Sequence, residues 1–104
     1  MKFEWDPGKE ALNQRKHKVS FQEAATVFGD PLSATVPDPD HSMIEQRFLT
    51  VGFSARHRPL IVSHLDRGGV VRIISARLLT KSERKTYEQK IGSSAEFVGA
   101  HLSS

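Results

Sequence analysis

RIISARLLTKSERKTY, residues Arg72–Tyr87, holds the turning point of this chain. Its first half, entered through Val70 and Val71, is rich in β-branched residues and reads as a strand. Its second half changes period: Thr80 and Glu83 have capping-box spacing, which predicts a helix running to about Lys90. Arg72 stands within the strand and Arg77 at its exit, and Lys81, Arg84 and Lys85 follow within two helical turns. A strand that carries guanidinium groups to the start of a basic helix asks for a polyanion.

Upstream, DRGG before Val70 is a hairpin connection whose two glycines permit positive φ. It joins the strand to LIVSHL, and the loop SARHRP joins that to QRFLTVGF. In QRFLTVGF, Leu49, Val51 and Phe53 take one face, Phe48 and Thr50 the other. LSATV is a further short strand, followed by the acidic loop PDPDHSMIE. Two helices come first. Asp6 is a plausible N-cap with Pro7 at the first helical position, giving a helix over about residues 7–17. Ser20 and Glu23 repeat the capping-box spacing, and Phe21, Ala24, Ala25 and Phe28 form one apolar stripe that ends at Gly29 and Pro31. The order α-α-β-β-β-β-α predicts an α+β fold, an antiparallel meander of about four strands with the helices on one face. Residues 1–90 form the single domain, and 91–104 read as a flexible tail.

A chain of 104 residues supports one modest core. It has no cysteine, which removes disulfides and thiolate chemistry. MKFEWDPGKEALNQ lacks the apolar region of a signal peptide, and no apolar run reaches membrane-spanning length, so a cytoplasmic location is expected. The net charge of +3 is unevenly spread. Residues 31–46 carry Asp38, Asp40 and Glu45 and no Lys or Arg, whereas residues 47–90 carry ten Lys/Arg against three carboxylates. That basic stretch predicts attraction to a polyanion or an acidic partner.

Several chemistries are excluded. The five histidines show no i, i+4 pair on a helix, and Asp38, Asp40 and His41 match no familiar calcium or zinc spacing, so no metal site is expected. There is no phosphate-cradling glycine motif. Ser63, His64 and Asp66 make a triad in name only, because neighbours on a strand point to opposite faces. Arginine chemistry remains, since a guanidinium fork matches two phosphate oxygens and keeps its charge at any working pH. Alternation groups Arg72 with Val70, Ile74 and Ala76, and Arg77 with Val71, Ile73 and Ser75. The two meet only if the chain bends at Ser75–Ala76. Arg72 needs a carboxylate, with Glu45 and Asp66 as candidates. Glu83 is either a cap or an orienting partner for Arg77; His64 is either a packed core histidine or an acid–base group; His17 and Lys16 complement the first helix's dipole or serve a site.

N-x-x-K-H at Asn13–His17, F-x-E-A at Phe21–Ala24, and R-I-I-S-A-R with E-R-x-x-Y across Arg72–Tyr87 together resemble the BrnT-type toxins of bacterial toxin–antitoxin systems, over about Phe3 to Glu88. The resemblance implies a RelE-like fold, a ribonuclease activity that blocks translation, and a cognate antitoxin with a ribbon-helix-helix DNA-binding domain. Operator DNA would be met only through the toxin–antitoxin complex. Two positions depart from the family pattern. Lys18 replaces the glycine that follows K-H, and Gln46 replaces the second of two glutamates before R-F.

The expected function is a metal-independent endoribonuclease without cofactor, in which the ribose 2′-OH attacks the adjacent phosphate. Arg77, then Arg72 and Arg47, would stabilise the phosphate. Glu83, His64 and His17 are the candidates for proton transfer or arginine orientation, and Lys16, Lys81, Arg84 and Lys85 for RNA binding. The alternative is a non-catalytic basic module that holds RNA or an acidic protein.

Overall fold

A computed structural model describes residues 1–40 and 46–95. Five strands form one sheet in the order β1-β5-β4-β3-β2, with β1 Lys2–Trp5, β2 Ala34–Pro37, β3 Arg47–Phe53, β4 Pro59–Arg67 and β5 Val70–Leu78. The helices are α1 Pro7–His17, α2 Phe21–Thr26 and α3 Lys81–Ala95. The sheet is mixed, because β1 pairs in parallel with β5 while the other pairs are antiparallel. The expected four-strand meander therefore lacked its edge strand. Alternation in KFEW explains β1: Phe3 and Trp5 turn inward, their rings 5.3 Å from Phe28 and 6.1 Å from Phe21.

The sheet's two faces are unequal. One carries Thr50, Leu60, Val62, His64, Ile73 and Ala76, all but closed to solvent, under Val19, Phe21, Ala24 and Val27. Burying a side chain such as Phe21, Leu60 or Ile73 contributes about 1.5–3 kcal/mol each, so most of the folding energy lies here. The opposite face carries Leu49, Val51, Ile61, Ser63 and Arg77, and α3 covers only its end, where Tyr87 packs 6.0 Å from Phe53 and donates to the Leu32 carbonyl at 3.1 Å. The helices thus lie on both faces, not one.

Local rules hold at most element ends. Asp6 caps α1 by accepting from the Lys9 amide at 2.9 Å, and Pro7 opens the helix. In α3 the capping box is complete: Thr80 Oγ1 accepts from the Glu83 amide at 3.1 Å, and Glu83 Oε1 accepts from the Thr80 amide at 2.9 Å. In α2 only half forms. Ser20 caps the Glu23 amide at 3.0 Å, but the Glu23 carboxylate turns away to Arg58 Nε at 2.9 Å and Ser54 Oγ at 2.7 Å. That half-buried ion pair ties α2 to the β3–β4 loop, and its charge-assisted bonds hold the Glu23 carboxyl below its usual pKa. Gly68 and Gly69 both have positive φ in the two-residue turn between paired Arg67 and Val70, as a type I′ hairpin demands. α2 stops at Thr26 and passes into a 3₁₀ turn over Val27–Gly29, while α3 continues past Lys90 to Ala95.

Candidate active site

One irregularity in β5 decides what the open face holds. Ser63 pairs with Ser75 but His64 pairs with Ile73, so Ile74 is an extra residue, a β-bulge. Directly paired residues share a face. Arg72 therefore lies with Leu65, and Arg77 with Ile61, on the same open face, instead of on opposite ones as unbroken alternation predicts. The bend falls at Ile74, one residue before Ser75–Ala76. Arg47 joins this face as the cross-strand partner of Leu65. The bulge also sends Ile73 and Ala76 together into the core.

α1 is placed by one buried side chain. β1 stops at Trp5, opposite Ile73, which leaves the far half of β5 with an open edge. Asn13 closes it: its Oδ1 accepts from the Ala76 amide at 3.1 Å, and its Nδ2 donates to the carbonyls of Ala76 and Val19, each at 2.8 Å. His17 is four residues on and shares that helix face. It comes to rest at a cleft of about 330 Å³ on the open side, with Asp38, Asp40, Leu49, Ser63, Ser75 and Arg77 also in its wall. This is the size of a small ligand pocket. His17 and Ser75 also line a second groove, about 490 Å³, along α1 with Lys9, Arg15 and Lys16.

Arg77 is held firmly. Its Nη1 and Nη2 donate to the two oxygens of Glu83 at 2.8 and 3.0 Å, and Nη1 also donates to the Leu78 carbonyl at 3.1 Å. Both side chains are 39% exposed. Paired with Arg77 and capping α3, Glu83 has its pKa lowered to about 2, and Arg77's is raised in turn. A guanidinium has five N–H donors. Three are taken, which leaves Nε–H and one Nη2–H, the adjacent pair that suits two phosphate oxygens.

The remaining candidates scatter. Arg72 donates to Glu4 Oε2 at 3.0 Å; its partner is in β1 rather than at Asp66, and Glu45 lies outside the described residues. His64 is 1% exposed on the core face, between Phe28 and Phe48. There Nδ1 is 2.8 Å from Asp66 and Nε2 2.7 Å from Thr50, so it is placed as a core histidine. Lys16 sits in the α1 groove. Lys81, Arg84 and Lys85 are exposed on α3 away from the cleft wall, and Arg84 bonds Glu88 at 3.0 Å. Among the described residues no three His, Asp or Glu side chains converge as a metal site, and His41 lies outside them. Asp38, Asp40, Ser63 and Ser75 were not anticipated as cleft residues. One signal pointed to the carboxylates: the only strongly acidic segment adjoins the most basic one, and opposite charges fold together.

The molecule is a small basic α+β protein with an arginine and a histidine at one cleft of its open sheet face, and comparison says which class it falls in. The fold is similar to that of a crystal structure of the Brucella abortus ribonuclease toxin BrnT, with a TM-score of 0.62 and 20% identity, covering 78% of this chain and 99% of that one. No curated protein matches the chain. A family model, described as ribonuclease toxin, BrnT, of type II toxin–antitoxin system, matches residues 5–83. The chain belongs to the BrnT family of ribonuclease toxins.

Proposed function

We propose that this protein is the toxin of a type II toxin–antitoxin pair, a RelE-like endoribonuclease that cleaves RNA without a metal, arrests translation in the cytoplasm, and is neutralised by a cognate antitoxin. The observation that carries the reading is the Arg77 fork: fixed at one end by Glu83, it keeps a parallel donor pair beside a cleft that also holds His17. A phosphodiester seated there would have its developing charge met by a guanidinium that need not reorganise. Glu83 is the positioning residue in this scheme. With a pKa of about 2 it is too weak a base to take a proton near pH 7. His17 is the proton carrier. Arg72 and Arg47, along the same face, and Lys16, in the α1 groove, hold the flanking strand.

The antitoxin is taken to carry a ribbon-helix-helix domain, so that operator DNA is contacted only through the complex. Val36, on the open face opposite Leu49, and Leu32 are exposed apolar side chains of the kind a partner covers.

The test is incubation of purified protein with RNA in EDTA, followed by analysis of the new ends. Cleavage should persist and leave 2′,3′-cyclic phosphates. A non-catalytic module would bind RNA with the same salt sensitivity and leave no new ends; loss of cleavage on chelation would contradict the metal-free route.

A further inference from the structure

Attack by a 2′-OH needs an acceptor for its proton and a donor for the departing 5′-oxygen. At the cleft that Arg77 edges, few described groups are available. Both oxygens of Glu83 are taken, by Arg77 and by the Thr80 amide. His64 is sealed on the other face. Asp38 is buried in the cleft wall, and its Oδ1 accepts the Asp40 amide at 2.9 Å. His17 and Asp40 remain, one on α1 and the other just beyond β2, both lining the cleft that Arg77 edges.

We propose that Asp40 is the general base of this site and His17 its general acid, with Asp38 a positioning residue that fixes the turn carrying Asp40. This assignment rests on the ribonuclease reading above. The Asp38 amide donates to the Arg47 carbonyl at 2.8 Å, which extends the β2–β3 pairing by one step and anchors the turn to the sheet. Asp38 then accepts from the amide two residues on, an Asx turn, so the Asp40 carboxylate leaves a fixed backbone. Asp40 is exposed, and among the described residues no side chain bonds to its carboxylate.

The step balances. Asp40 takes the 2′-OH proton as the 2′-oxygen bonds to phosphorus. The P–O5′ bond breaks, and the 5′-oxygen takes a proton from the His17 imidazolium. The products are a 2′,3′-cyclic phosphate and a 5′-hydroxyl, with Arg77 neutralising charge on the non-bridging oxygens.

The test uses the full chain and two RNAs, one ordinary and one with sulfur replacing the bridging 5′-oxygen at the cleaved linkage. A thiolate leaves without a proton. His17→Ala should lose roughly 10²–10⁴-fold in kcat on ordinary RNA and recover to near wild type on the sulfur RNA. Asp40→Asn should lose a similar factor on both, with Asp40→Glu regaining part. RNA with a 2′-deoxyribose at the cleaved position should bind Asp40→Asn at least as tightly as wild type, which a merely structural loss would not give. Wild-type kcat in Asp40→Asn, or its rescue by sulfur, overturns the assignment. If Asp40→Asn is active while Arg77→Ala is inactive, only the Asp40 role falls; if Arg77→Ala is also fully active, the ribonuclease reading of the cleft falls with it.

Discussion

Lys18 ends α1 in the left-handed region, at φ 61° and ψ 32°, with its amide donating to the Gln14 carbonyl at 2.9 Å. That is the conformation glycine adopts without cost, and lysine bears a Cβ penalty of about 1–2 kcal/mol there, partly offset by glycine's larger entropy loss. Lys18→Gly should stabilise the protein by about 1 kcal/mol and raise Tm by about 4–8 °C, measured by calorimetry. The residue matters because α1's end carries His17 to the cleft. At Arg77 the decisive property is the planar fork. Lysine offers one rotatable ammonium in place of two parallel donors and gives up the bidentate hold of Glu83. Arg77→Lys should therefore keep the fold but lose roughly 10²–10³-fold in kcat/KM on an RNA oligonucleotide, because charge alone does not replace the geometry.

At the scale of elements, β5 is the piece on which the site depends. With Ile74 as an extra residue, the strand sends Ile73 and Ala76 into the core and Arg72, Ser75 and Arg77 to the open face. Deleting Ile74 would restore strict alternation and force one half of β5 to present the wrong side, burying Arg77 or exposing Ile73. The deletion should leave little soluble folded protein, whereas Ile74→Val, which preserves the count, should melt within a few degrees of wild type by circular dichroism. Most of the elements were legible before the structure. Asp6 with Pro7, Thr80 with Glu83, and the paired glycines each announce a local geometry that the backbone adopts. The bulge was not, because VVRIISARL alternates equally well in either register and only the pairing with β4 reveals the extra residue. Nor was β1 legible, since a four-residue strand in parallel pairing depends on contacts some 68 positions away, such as Arg72 to Glu4. Asn13 was visible as part of a motif, but its work, closing the free edge of β5, required knowing that β1 stops short. Arg72 and Arg77, which unbroken alternation puts on opposite faces, share one face only through that bulge, and the cleft's carboxylates, on a proline-broken loop, carried no periodic signal at all.

At the scale of the whole molecule, two faces of one sheet divide the labour: one is sealed by Phe21, Val27, Leu60 and Ile73, and the other is left open and charged. The sealed face gives the protein an acid weakness. Burial lowers the His64 pKa below 6.5 against the opposing pull of Asp66, so the folded chain keeps it neutral while the unfolded chain takes up a proton. Its contribution is complete above about pH 6.5 and is lost as pH falls toward the lower folded value. Glu83, lowered to about 2, and Glu23, also lowered, act in the same direction: their contribution is present above the usual 4.5 and is lost below it. Tm should be flat between about pH 6.5 and the ordinary tyrosine value of 10.0, decline below about pH 6.5, and decline again below about pH 4.5; His64→Gln should remove the first decline and keep the second. The most direct test of the central claim, that Arg77 on the open face holds the phosphate being cleaved, is induced expression in a bacterium with RNA 5′ ends mapped, wild type beside Arg77→Ala at matched protein levels. Wild type should halt growth and leave new 5′-hydroxyl ends that vanish with Arg77→Ala; the same ends at the same frequency in both strains would contradict the account.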